Sequence, residues 1–294
     1  MKSSQFQRGI GDSEAIEYGA GQRVLPEWAC DAHFHVFGHF DDFPLIAERA
    51  YTPAIASMDD YWKAFRPLGV DRCVLVQPSV YGRDHSLLKQ TLHHAEAGRV
   101  RGVAVIYEDT PDAEIEALHA LGVRGARCNA LFSGGVSVAS LRAVADRIRD
   151  LGWHVQLLVN VDEDPGLVQR VADMGVAVVV DHFGHPLHQL GAGGPGSRNL
   201  QALMREGRAW VKFSGAYRIS ETASAVDPAV IPIAHALVQA NPHRIVWGSD
   251  WPHPGIQARS HSGGELVQAL TDWVPVEYRR MVLVDNPARL YWGC

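Results

Sequence analysis

The chain has 294 residues, enough for one large barrel-sized domain or two ordinary ones. Hydrophobic residues make up 47% and charged residues 20%, a balance that excludes a disordered chain. The net charge is only -6 and no Lys/Arg-rich run occurs, which argues against nucleic acid or an anionic membrane as partner and leaves recognition of an acidic ligand to individual arginines.

In chain order, residues 1–27 read as an N-terminal extension without the apolar core of a signal peptide. Residues 28–294 read as a single domain of short Val/Ile/Leu-rich runs, each followed by a polar loop and a stretch of helical spacing. Strands are expected at 28–31, 72–77, 101–107, 123–128, 154–159, 176–181, 209–214 and 244–249. Between them, 138–151 predicts a helix with Leu141, Val144, Ala145 and Ile148 on one apolar stripe. Leu121-Gly122, Leu151-Gly152 and Met174-Gly175 close helices ahead of the next strand. The stretch GAGGPGS at 191–197 lacks the ending of a phosphate-binding loop and is expected to be a flexible loop. Eight such units imply an α/β fold, a (β/α)8 TIM-like barrel, with a doubly wound open sheet as runner-up. No apolar run approaches the ~20 residues of a membrane helix. Cys30, Cys73, Cys128 and Cys294 lack CxxC spacing and are expected as reduced thiols of a cytoplasmic protein. Nothing in the pattern specifies an oligomeric state.

In a barrel the βα loops converge at one mouth, so polar residues at strand ends are the candidates for chemistry. They are Asp31, His33 and His35 after the first strand, Gln77 and Ser79 after the second, and Arg127 and Asn129 at the fourth. The sixth strand ends in Asp181, His182 and His185, the seventh in Lys212, Ser214 and Arg218, and the eighth in Asp250 and His253. Period-two alternation puts His33 and His35 on one face. Asp31 and Asp181 are expected to accept backbone hydrogen bonds, His154 to be structural at the barrel floor, and His39, His93, His94, His119, His185, His188 and His261 to be surface or loop residues. Arg127 suits either a strut between loops or a bidentate carboxylate seat.

DAHFHVFG (31–38), VQPSVYG (76–82), LGVRGARCN (121–129), VVVDHFGHP (178–186), VKFSGAYR (211–218), RIVWGSDWPHP (244–254) and DNPARLYW (285–292) together resemble the amidohydrolase superfamily of distorted barrels. Within it the chain is similar to the 2-pyrone-4,6-dicarboxylate lactonase group and related sugar-lactone hydrolases. That superfamily commonly binds one or two divalent metals through HxH, a strand-four lysine or glutamate, histidines at strands five and six, and a strand-eight aspartate. Here strand four offers Arg127 and Cys128, and strand five ends in QLLVN, so a binuclear site is not expected. The resemblance implies a metal-free lactonase with no required cofactor. If one zinc binds, its ligands are His33, His35 and Asp250, with His182 as an optional fourth.

Ester cleavage needs an activated water, charge stabilisation on the carbonyl oxygen and a proton for the departing oxygen. Asp250 is the expected base, and His33, His35 and His182 are expected to surround the carbonyl oxygen, gaining proton affinity from the carboxylate. The resemblance carries the substrate's carboxylate clamp onto Arg127 and Arg218, with Tyr51, Ser79 and His253 as further substrate contacts. A second strand-four arginine of that group falls near Ser133 here, and its strand-five tyrosine at Leu158. One carboxylate, not two, is therefore expected in the pocket, and a sugar-acid lactone competes with the pyrone dicarboxylate. The rivals are a zinc-dependent decarboxylase of the same superfamily and a silent barrel that binds a carboxylated ligand.

Overall fold

A computed structural model describes residues 23–129, 131, 138–255 and 261–294. Eight strands form one parallel sheet in chain order: β1 (Cys30–Phe34), β2 (Arg72–Val76), β3 (Val100–Ala104), β4 (Val123–Asn129), β5 (His154–Leu158), β6 (Ala177–Val180), β7 (Ala209–Phe213) and β8 (Ile245–Trp247). Helices between them bury their apolar stripes on the outside of the strands, as the continuous apolar runs require. The expected (β/α)8 barrel is present. Helix Leu141–Ile148 buries Leu141, Val144, Ala145 and Ile148, and Gly152 behind it takes a left-handed φ of 68°. Among residues 23–27, Val24 and Leu25 donate their backbone N–H groups to Leu68 O, and Leu25 is buried. The rest of the expected extension, and Ser133, lie outside the described residues.

Two segments differ from expectation. GAGGPGS is a 3-10 turn at Gly191–Gly193 followed by the start of helix Pro195–Arg205. The Asp162 carboxylate accepts from Gly196 N at 2.9 Å, Ser197 N at 3.2 Å and Leu187 N at 3.1 Å, which turns a glycine-rich stretch into a packed helix start. The first strand begins two residues later than its apolar run implies, and its pairing with β2 shifts between Asp31 and Phe34. Asp31 and His33 therefore lie within the strand, not after it.

Alternate positions of the strands fill the lumen in layers. At the floor, the His154 ring covers Gly125 and meets Tyr291 edge-on at 5.4 Å. Above it lies a polar layer: Lys212 Nζ donates to Gln156 Oε1 at 2.7 Å and Ala32 O at 2.8 Å, while Gln156 Nε2 donates to Asp181 Oδ2 at 3.0 Å. The mouth opens above that layer.

The ring closes between β1 and β8. Asp250 N donates to His33 O at 2.8 Å and His35 N donates to Trp251 O at 2.8 Å. The buried Asp31 carboxylate ties both strand ends from behind, accepting from His33 N at 3.0 Å and Ser249 N at 2.9 Å through one oxygen and from Tyr61 OH at 3.0 Å through the other. Gly248 lies against this seam: a Cβ there would sit 2.5 Å from His33 Cβ and 2.8 Å from His33 N. Gly248→Ala is expected to cost about 1–3 kcal/mol through overpacking and to displace His33; chemical denaturation of the variant, with wild-type stability as the contrary result, checks this.

Candidate active site

The β1–β8 seam delivers two histidines and one aspartate to the same point. His33 and His35 pack edge to face with ring centres 5.0 Å apart, and His182, on the turn after β6, lies 4.8 Å from His33. Asp250 is wholly buried. Its Oδ2 accepts from Tyr217 OH and from Arg218 Nε, both at 2.6 Å. Its Oδ1 has no hydrogen-bond partner and faces His35 Nε2 at 3.4 Å and His33 Nε2 at 3.7 Å, while His182 Nε2 is 4.0 Å from Oδ2. Asp250, His182 and His253 all hold left-handed φ angles, of 56°, 51° and 65°, a strain that side chains bear where surrounding contacts over-determine the backbone.

Hydrogen bonds behind the imidazoles decide what each can do. His35 Nδ1 is 2.7 Å from Val76 O; a carbonyl only accepts, so Nδ1 carries the proton and Nε2 presents a lone pair. A neutral His35 thus cannot donate to a carbonyl oxygen, which corrects its expected part in oxyanion stabilisation. Two acceptors, His35 Nε2 and Asp250 Oδ1, face each other, an arrangement that a water's two O–H groups or a cation satisfies. His182 Nδ1 lies 2.8 Å from the Ser214 hydroxyl, which can donate to it and leave a proton on Nε2. His33 Nδ1 sits between Asp181 Oδ1 at 3.3 Å and Lys212 Nζ at 3.4 Å. Asp181 therefore works through side chains, not through the backbone bonds expected of it.

Burial controls the charges. It lowers His33 to about 3 despite the neighbouring Asp181, lowers His35, and lowers His182 well below its ordinary value. Asp250 does add to the proton affinity of the imidazoles, but desolvation outweighs it and leaves them neutral at pH 7. For Asp250 burial alone would raise the value, but the Arg218 guanidinium beside it overrides burial and holds the carboxyl well below the usual range. Lys212 is pushed down to about 8 by burial.

His33, His182 and Asp250 offer ligand atoms within 4.8 Å of one another, and His33 Nε2 and Asp250 Oδ1 are buried atoms without partners. A nitrogen-nitrogen-oxygen set of this kind fits one zinc-like divalent ion with an open position.

Beside this cluster a cavity is walled by Tyr51, Ser79, Arg127, Asn129, Leu158 and Arg218, with His35, His182 and Asp250 along one side. Arg127 donates to Gln77 O at 3.2 Å and its Nη2 lies 3.8 Å from Asp181, but its buried Nε has no partner. Burial raises Tyr51 to about 12, so its phenol stays protonated. His253 is outside this wall: it meets the Tyr217 ring edge-on at 5.3 Å and lines a neighbouring cleft with Phe37 and Trp251. His261, expected on the surface, is buried and stacks on Tyr217 at 4.8 Å. Tyr217 was not singled out by sequence; its position immediately before Arg218 is the only signal it carries.

A parallel eight-stranded barrel with an HxH pair on β1, a histidine after β6 and an aspartate after β8 is an amidohydrolase-type barrel. The chain belongs to the Amidohydrolase family, whose sequence pattern matches residues 30–292. It is 36% identical over 282 residues to a 2-pyrone-4,6-dicarboxylate hydrolase of Comamonas testosteroni, covering 92% of each chain. It is 34% identical over 278 residues to a 4-sulfomuconolactone hydrolase of Hydrogenophaga intermedia, covering 91% of this chain and 90% of the relative. A crystal structure from Pseudomonas putida, provisionally named a 2-pyrone-4,6-dicarboxylic acid hydrolase, superposes with a TM-score of 0.78 at 32% identity, covering 91% of this chain and 98% of the other.

Tyr217→Phe removes one of two donors to a buried carboxylate and is expected to cost about 1.5–3 kcal/mol of unfolding free energy, read by urea denaturation; a change below experimental error would refute the bond's importance. Acid sensitivity follows from the imidazoles. Burial lowers His33 and His154 to about 3 and His185 and His253 to about 4. In the unfolded chain they return to about 6.5, so below that pH the unfolded state binds protons that the folded state does not, and stability falls as pH drops. Asp181 and Asp250, held low, add loss only below the ordinary carboxylate range, while Asp31, raised to about 6 by burial, works in the opposite sense. The unfolding free energy from urea denaturation is expected to decline from about pH 6.5 downward, by up to about 1.4 kcal/mol per pH unit for each such histidine and less the opposing contribution of Asp31.

Proposed function

We propose that this chain is a hydrolase that opens a small carboxylated lactone of the 2-pyrone-4,6-dicarboxylate kind, by attack of a water activated at Asp250. The observation that carries this is the facing pair of acceptors, Asp250 Oδ1 and His35 Nε2, 3.4 Å apart at the edge of a cavity that contains the unpaired Nε of Arg127. A water between them donates one proton to each acceptor and turns its lone pair outward. Ester opening needs that orientation. The two relatives at 36% and 34% identity, both named as hydrolases of lactones, support the same chemistry.

In the reaction, the water oxygen bonds to the lactone carbonyl carbon as its proton passes to Asp250 Oδ1. His182, and His33 where its Nε2 bears the proton, donate to the carbonyl oxygen as it becomes negative. The ring C–O bond then breaks and Asp250 returns the proton to the departing oxygen, giving the ring-opened acid. Tyr217 and Arg218 occupy Oδ2, leaving Oδ1 as the working oxygen. Tyr51 and Ser79 offer hydroxyls to polar groups of the ring. His253 contributes through Tyr217. A divalent ion on His33, His182 and Asp250, when bound, would supply Lewis-acid polarisation and a more acidic water. Cys30, Cys73 and Cys128 are buried and form no disulfide among the described residues, in keeping with a reducing, cytoplasmic setting.

A panel of pyrone and sugar-acid lactones, assayed with and without chelator and with metal analysis of the purified protein, tests this. Ring opening of an acid-bearing lactone is expected, and Asp250→Asn is expected to lower kcat/KM by at least about a hundredfold with the fold retained. Undiminished turnover in Asp250→Asn rejects the base, and no ring opening with or without added zinc rejects the function. Activity that survives chelation of metal-free protein identifies a water held by side chains alone; loss restored by zinc shows that the reaction needs a bound divalent ion.

A further inference from the structure

We infer that Lys212, buried beneath the site, is a positioning residue that fixes the proton of His33 on Nε2, so that the HxH pair is divided into one acceptor, His35, and one donor, His33. The assignment stands on the hydrogen bonds of the lumen. Its consequence for rate rests on the lactonase function proposed above, which it deepens by naming a residue that prepares a donor for the carbonyl oxygen.

Lys212 is wholly buried on β7, and period-two alternation turns it into the lumen while Val211 and Phe213 join the core on the helix side. An ammonium has three N–H donors and no lone pair. Two of them go to oxygens that only accept, Gln156 Oε1 at 2.7 Å and Ala32 O at 2.8 Å. The Gln156 amide cannot be reversed: its Nε2 donates to the Asp181 carboxylate at 3.0 Å, and the other orientation would set oxygen against oxygen and N–H against N–H. The third donor of Lys212 faces His33 Nδ1 at 3.4 Å. Asp181 Oδ1 is as near, at 3.3 Å, yet has no hydrogen-bond partner among the described residues, His33 Nδ1 included. A neutral imidazole whose Nδ1 accepts carries its proton on Nε2. His33 Nε2 is buried without a partner among the described residues and lies 3.7 Å from Asp250 Oδ1, beyond a hydrogen bond, so its N–H is held ready for an incoming oxygen. His35 is committed the opposite way by Val76 O behind it. Two histidines one residue apart thus take complementary roles because one backs onto a carbonyl and the other onto an ammonium.

Long-range proton–nitrogen correlation spectra of protein carrying isotope-labelled histidine read the tautomer of each ring, independently of turnover. The sample is treated with chelator, because an ion on Nε2 would impose the other tautomer, and signals are assigned with His33→Gln and His35→Gln. His33 is expected to be protonated on Nε2 and His35 on Nδ1; a His33 proton on Nδ1 overturns the inference. Lys212→Met is expected to move that proton to Nδ1, toward Asp181, and to lower kcat by at least about tenfold with KM within about threefold. A lysine needed only for packing would leave the tautomer where it was. A folded Lys212→Met that keeps the Nε2 proton, or that keeps the wild-type kcat, therefore overturns the inference. Should Lys212→Met not fold, Asp250→Asn replaces the carboxylate that faces Nε2: the proton is expected to stay, and its move to Nδ1 would assign the tautomer to Asp250 and overturn the role of Lys212. Should no lactone open at all, the proposed function fails while the spectra still decide what Lys212 does.

Discussion

The site depends on how the barrel closes. The two backbone hydrogen bonds between β1 and the chain after β8, Asp250 N to His33 O and His35 N to Trp251 O, complete the ring and at the same time place both histidines beside the aspartate. Asp31 and Tyr61 hold that seam from behind, and Gly248 gives it the close approach it needs. Fold and site are thus coupled: a change that loosens the closure also moves Asp250 away from His33 and His35.

Burial then sets the protonation states. The three imidazoles are deep enough that desolvation keeps them neutral beside a carboxylate, so they act as hydrogen-bonding groups or ligands and not as fixed positive charges. Their roles follow from the groups behind them. Val76 O commits His35 to acceptance, whereas the Ser214 hydroxyl leaves His182 free to donate. A carboxylate oxygen and an imidazole nitrogen that both accept, a short distance apart, form a site for a water or a cation.

The carboxylates around the mouth lie against opposite charges. Asp250 is joined to Arg218, and Asp181 lies between His33, Lys212 and Arg127. Removing one member of such a set leaves the other as an uncompensated buried charge, which costs far more than the pair contributes. Arg127 Nε is a buried donor in the wall that has no partner among the described residues.

Much of this was legible in the chain. Apolar runs buried on both faces announced eight strands, the stripe at Leu141, Val144, Ala145 and Ile148 announced a helix, and HxH with a later His182 and Asp250 announced the cluster, because each is a local pattern with a fixed spacing. What the chain could not reveal depends on atoms far apart in sequence. The shift of β1 that brings His33 into the strand, the Val76 carbonyl that dictates the His35 tautomer, the Tyr217 hydroxyl on Asp250, and the different partners of Arg127 and Arg218 arise only when eight strands close. Residue type and spacing determined which groups reach the mouth. Tertiary packing alone decided which of their hydrogen-bonding atoms are occupied, since that is a matter of contact across the ring and not of order along the chain.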